Sequence, residues 1–132
     1  MAPALVTAAI EVRMTPPKEV WPNSTAAWRV KASAKRKFRY EAYKAAMAAE
    51  MLEPFAFGWV REAAAVRMDI EIAWPKGQRR LDEDNAWGAC KSLIDGIADR
   101  LSDHGDRRFK LGTMTQTWGE GIVTVILRGG DE

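Results

Sequence analysis

The residues best suited to chemistry gather in one stretch, "RRLDEDNAWGACKSLIDGIADRL", from Arg79 to Leu101. Asp82, Glu83 and Asp84 stand directly behind Arg79 and Arg80, and Lys91 and Asp95 follow in the same segment. Carboxylates at the start of a helix have two physical uses. They complement the positive end of the helix dipole, or they hold a divalent cation, where all-oxygen donors suit magnesium or manganese rather than zinc. A third carboxylate would complete such a site, and Asp103 and Asp106 lie in the loop beyond the helix. On periodicity alone Lys91 and Asp95, four apart, read as a solvated i,i+4 pair worth roughly 0.2–0.5 kcal/mol. The lone His104 reads as a loop residue. The lone Cys90 has no Cys or His neighbours at zinc-ligand spacing and reads as a buried, inert thiol.

A helix from about Asp84 to Leu101 would position these groups, with Asp82, Asp84 and Asn85 as candidate caps. At about 100° per residue, Trp87, Cys90, Ile94, Ile97 and Leu101 form its buried stripe. Asp84, Gly88, Lys91 and Asp95 then share a second face, roughly 110° away, with Gly88 leaving space beside it. Such a helix is about 27 Å long, so the Asp103–Asp106 loop reaches its first turn only through the following chain or a partner subunit.

Upstream, Val6, Ala8, Ile10, Val12 and Met14 alternate as a half-buried strand, closed by the Pro and Asn breakers of "TPPKEVWPNS". A long helix is expected from about Thr25 to Leu52, with Phe38, Ala42, Ala45, Ala49 and Leu52 on its apolar side. A loop with Phe55, Phe57 and Trp59 follows. Val66, Met68, Ile70, Ile72 and Trp74 alternate with Arg67, Asp69 and Glu71, the clearest strand in the chain. Beyond the second helix, "RRFKLGTMTQTW" and "IVTVILR" read as strands around a "GEG" turn, and "GGDE" as a loose tail. The order β-α-β-α-β-β predicts one compact α/β domain, residues 1–132, with a mixed sheet.

The 132 residues carry a net charge of +2 and are 47% hydrophobic, enough for one packed core. The charge is uneven. Between Arg29 and Lys44 lie seven basic residues and one acid, Glu41, so that segment is +6 and the remainder −4. Lys31, Lys35 and Arg39 share one helical face, a pattern that fits a polyanion or a solvated surface. No apolar run approaches the ~20 residues of a membrane span, and the N-terminus lacks the pattern of a secretory signal. A soluble cytoplasmic protein with no membrane partner is expected.

Taken together, Asp82-x-Asp84-Asn85, Lys91-x-x-x-Asp95-Gly96 and the downstream Asp106 resemble the RusA family of Holliday junction resolvases, endodeoxyribonucleases of bacteria, phages and prophages. The stretch "TPPKEVWPNSTAAWRVKASAKRKFRYEAYKAA" is similar to that family's Pro-Pro and Pro-Asn loop followed by a basic helix. The resemblance implies a RusA-like fold, a homodimer, and magnesium-dependent nicking of four-way junctions, with manganese as a possible substitute and no small-molecule cofactor. It implies Asp82, Asp84 and Asp106 as metal ligands, and Lys91 as the cation beside the reacting phosphate. Asp95 would orient Lys91, and Asn85 would contact DNA or support the site. The family's downstream site has adjacent acids, whereas Gly105 precedes Asp106 here, so Asp103 and Asp106 both stand as the third ligand. Arg29, Lys31, Lys35, Arg36, Arg39, Arg79 and Arg80 would hold DNA phosphates. Trp28 is expected either in the core or stacked on a base. Two rival readings remain: a non-catalytic branched-DNA-binding or phage-assembly protein acting through the basic helix 28–44, and a metal-dependent hydrolase of nucleotides.

Overall fold

Alternation in the segment ending at Pro75 produces the strand at the heart of the fold. In a computed structural model, which describes residues 6–102 and 107–129, β2 (Val66–Pro75) buries Val66, Met68, Ile70, Ile72 and Trp74 and turns Arg67 and Glu71 outward. It is flanked on both sides, antiparallel by β4 (Ile122–Gly129) and parallel by β3 (Phe109–Gly119). With β1 (Val6–Val12) beyond β4, the four-stranded mixed sheet runs β1-β4-β2-β3. The short connection between β3 and β4 therefore makes no hairpin. Gly121, at φ 80°, donates to the Ala73 carbonyl at 3.0 Å, and the chain hooks round the end of β2.

Between β1 and β2 lie a 3-10 turn (Lys18–Val20), α1 (Trp28–Leu52) and a short α2 (Pro54–Phe57). The turn α2 replaces part of the expected aromatic loop: Pro54 supplies the fixed φ of a first helical residue, and Phe57 is buried. Along α1, Phe38, Ala42 and Ala46 are buried and Ala45 and Ala49 pack against the core, whereas Leu52 is 83% exposed. The expected apolar stripe thus ends before the helix does.

The predicted helix from Asp84 to Leu101 is two helices, α3 (Glu83–Ala89) and α4 (Lys91–Leu101). At Cys90 the backbone sits at φ −93°, ψ 2°, and its N–H is shared between the carbonyls of Ala86 and Trp87, both 3.1 Å away. Periodicity continues through the break, because Cys90, Ile94, Ile97 and Leu101 are all buried, so hydrophobic spacing alone does not reveal it. Parallel strands need a long crossover, and α3 and α4 supply the one joining β2 to β3.

The two long helices meet closely. A Cβ on Gly96 would fall on the Arg39 carbonyl oxygen and lie 3.0 Å from Ala42 Cβ, so α4 packs on α1 at a glycine–alanine contact. Buried residues of the strands and helices form one hydrophobic core, in a single compact mixed α/β domain. Among the described residues no helix is long and apolar enough to cross a membrane.

Candidate functional site

Asp82 is the N-cap of α3, on extended backbone at φ −57°, ψ 153°, and its side chain makes no capping hydrogen bond. The carboxylate is exposed and is not consumed in closing the helix. Asp84 already lies inside α3, also exposed. Of the candidate caps Asp82, Asp84 and Asn85, Asp82 takes the N-cap position, and the helix expected from about Asp84 begins at Glu83. Asn85 is half-buried on the same turn.

What holds this turn in place is Gln116, which no pattern in the sequence singles out. Its side chain accepts hydrogen bonds on Oε1 from the Leu81 N–H and from Trp74 Nε1, both at 2.9 Å, and donates through Nε2 to the Leu81 carbonyl at 2.7 Å. The amide pairs with the backbone just before Asp82 as a neighbouring strand would. Gln116 stands in register with Ile72, which faces the core, a pairing that only the tertiary fold supplies.

Lys91 lies in the first turn of α4, where its Nζ is 2.8 Å from Asp95 Oδ1. Asp95 Oδ2 lies 4.0 Å from Arg39, whose guanidinium makes a two-pronged pair with Asp99 at 2.6 and 2.8 Å. The ion pair expected of Lys91 and Asp95 is present. Because α3 and α4 are separate, the four-residue face of one continuous helix is not: Gly88, Lys91 and Asp95 line a common cleft, and Asp84 is outside that lining. The space expected beside Gly88 is occupied by Pro22, since a Cβ there would lie 2.6 Å from Pro22 Cγ.

That cleft, about 500 Å³, runs between α1, the start of α4 and the loop around Trp21 and Pro22. From α1 it receives Lys31, Lys35, Arg36 and Arg39. Arg29 turns the other way and, with Lys37, lines a second groove near Met14 and Pro17. Trp28 is 74% exposed with Arg29 over its ring at 5.8 Å, so it is not a core residue. Arg79 and Arg80 are exposed beside the acids, and Arg80 stacks 4.7 Å from the Trp118 ring centroid.

Asp69, read as an outward strand residue, is the centre of a charge cluster away from these clefts. Its carboxylate accepts from Arg67 at 2.9 Å, from Arg128 at 2.7 Å and from the Thr113 N–H at 2.7 Å. Burial works against its ionisation, but the Thr113 N–H and the two guanidinium groups outweigh it and hold its pKa at about 2. The β2–β3 register shifts at this point, opposite Gly112 and Thr113, which aims the Thr113 N–H at Asp69. Burial pushes the Cys90 thiol up to about 12, in line with an inert cysteine.

Asp82 and Asp84 have the oxygen donors magnesium prefers. Among the described residues, however, no group of three or more His, Cys, Asp or Glu side chains comes together to hold a metal. The candidate third ligands, Asp103 and Asp106, and His104 with them, lie outside the described residues. Searched against family models and against curated proteins, the chain matches none.

Proposed function

We propose that the protein is a magnesium-dependent endodeoxyribonuclease of RusA type, acting on four-way junctions and related branched DNA. The observation that carries this reading is the uncapped Asp82 carboxylate, exposed with Asp84 at the head of a helix pair whose next turns border a cleft of cations. Asp82 makes no capping hydrogen bond, which leaves its carboxylate oxygens available to a ligand.

On this reading Asp82 and Asp84, with Asp106 or Asp103, would hold the metal, which when bound would supply Lewis-acid chemistry for phosphodiester hydrolysis. The protein's own contribution is positional. Gln116 fixes the turn before Asp82, Asp95 holds Lys91 in orientation, and Lys91 adds positive charge where charge grows in the transition state. The α1 cations, with Arg79 and Arg80, neutralise backbone phosphates. Trp28, exposed at the start of α1, is suited to stack on an unpaired base at a branch. Resolution needs two nicks related by the approximate symmetry of the junction, which a homodimer would deliver. The RusA-like arrangement, the dimer and a bacterial or phage setting belong to this proposal.

The second reading, a branched-DNA-binding protein without catalysis, is favoured by one observation: Lys91 pairs with Asp95 as an ordinary helix-surface bridge does. Cleavage of a labelled synthetic four-way junction, beside linear duplex of the same sequence, separates the two. The nuclease reading expects symmetric, magnesium-dependent nicks near the branch point that vanish in Asp84→Asn while junction binding persists. Tight binding with no nick in any divalent metal would replace it with the binding-protein reading.

A further inference from the structure

We infer that the cleft between α1 and α4 is a phosphate-binding subsite, so that only part of the charge on α1 acts as a site and the rest as general surface charge. The cleft is bordered by five basic and two acidic side chains, the acids being Glu19 and Asp95. Asp95 is engaged by Lys91 and approached by Arg39, and Arg39 is held further by Asp99. Lys31, Lys35 and Arg36 form no ion pair with any described residue. Lys31, Lys35 and Arg36 thus face one remaining carboxylate, Glu19, and the excess positive charge is relieved by an entering anion.

The walls are fixed independently of any ligand. Trp21 donates to the Pro16 carbonyl at 3.0 Å and meets Trp74 edge-on at 5.7 Å, while Pro22 presses against Gly88. The α4 wall is set by the close Gly96 contact with α1. A preformed, positively charged cavity open to solvent suits the compact, doubly hydrogen-bonding oxygens of a phosphate, which Arg36 can grip bidentately and the lysines as point charges. Its neighbour groove shares Glu19 but has only two cations, Arg29 and Lys37, against five in the cleft.

The phosphate could come from a nucleic-acid backbone or from a free polyphosphate, and the nuclease reading above bears only on the choice between those sources. Placement on one helix permits a charge-matched test. Lys35→Ala/Arg36→Ala and Arg29→Ala/Lys37→Ala each remove two cations from α1. Binding of a synthetic four-way junction is measured for wild type and both double variants, in chelator so that cleavage is excluded, over roughly 50 to 200 mM salt. The cleft pair should weaken binding about tenfold more than the other pair and lower the salt slope by roughly two, since each phosphate neutralised by the protein adds about 0.9 to that slope. Equal weakening by both pairs would mean that the helix acts by overall charge alone and would overturn the subsite.

Amide shifts on adding inorganic pyrophosphate identify the source. Shifts at residues 31–36 and 88–92 from both pyrophosphate and junction, or from either alone, support the subsite and assign its ligand. Shifts from neither overturn it. A protein that binds through the cleft and cuts nothing loses the nuclease reading and keeps the subsite; one that cuts junctions, yet is weakened equally by the two pairs, does the reverse.

Discussion

Gly96→Ala is the substitution whose sign separates close packing from helix propensity. In an ordinary helix interior, replacing Gly by Ala gains about 1 kcal/mol. Here the new methyl would fall on the Arg39 carbonyl oxygen, with Ala42 Cβ 3.0 Å away. Both neighbours belong to α1 at its contact with α4, so neither can rotate aside as a flexible side chain would. A C···O contact relaxes at ~3.3 Å, so the helices must part by roughly an ångström. Overpacking of this kind costs about 1–3 kcal/mol. Taking the upper end, because backbone is the obstacle, and crediting the propensity gain leaves a net destabilisation of about 2 kcal/mol. In a chain of 132 residues, Tm should fall by about 8 °C, at ~4 °C per kcal/mol. Calorimetry would be run beside Gly58→Ala, where the added Cβ meets only the Pro54 carbonyl at 3.7 Å in helical backbone, and Tm should hold or rise. A Tm for Gly96→Ala at or above wild type would refute the contact between α1 and α4 described above.

Three further outcomes follow from named contacts. Asp69→Asn should destabilise the protein at pH 7; because the folded pKa of about 2 lies below the ordinary 3.8, the stabilisation is present above the unfolded value and fades as pH falls from about 5 towards 2. Urea midpoints that differ equally across that range would exclude the carboxylate's charge as the cause. Gln116→Ala leaves the buried Trp74 Nε1 and both Leu81 backbone groups without this partner, and equilibrium unfolding should register a destabilisation of about 1–3 kcal/mol; under the nuclease reading, the metal concentration for half-maximal cleavage should rise as well. Arg108 donates to the carbonyls of Val60, Ala63 and Leu101, at 2.6, 2.5 and 3.4 Å, so Arg108→Ala should cost roughly 1.5–3 kcal/mol, whereas an unchanged denaturant midpoint would show those bonds to be worth no more than water.

Much of the fold was legible because period-2 and helical patterns are strong where one face is buried. Val66 to Trp74, and Cys90 to Leu101, announce which side chains go inside. The break at Cys90 left no such mark, since a bend that keeps the same side inward does not disturb hydrophobic spacing. Strand neighbours were equally hidden: nothing in "GEG" tells that β3 and β4 flank β2 rather than each other. For the candidate site, residue types told what the acids and cations are suited to do, and Lys91–Asp95 followed from helical spacing. The sorting of α1 cations into two grooves depended on where Trp21 and Pro22 dock, a tertiary fact. Gln116 and Asp69 were obscured for the same reason, each being polar in a strand and meaningful only through partners 35 and 44 residues away in sequence.

The joint at Cys90 also has a mechanical side. Leu81, just ahead of the carboxylates, is tied to β3 through Gln116, whereas Lys91 sits on a helix seated against α1. A single rigid rod would make the acids and the lysine follow one another. Two rods take their positions from different supports, the sheet edge for Asp82 and Asp84 and the basic helix for Lys91. The carboxylates and the lysine are therefore positioned by different parts of the fold, with Cys90 as the joint between the two helices that carry them.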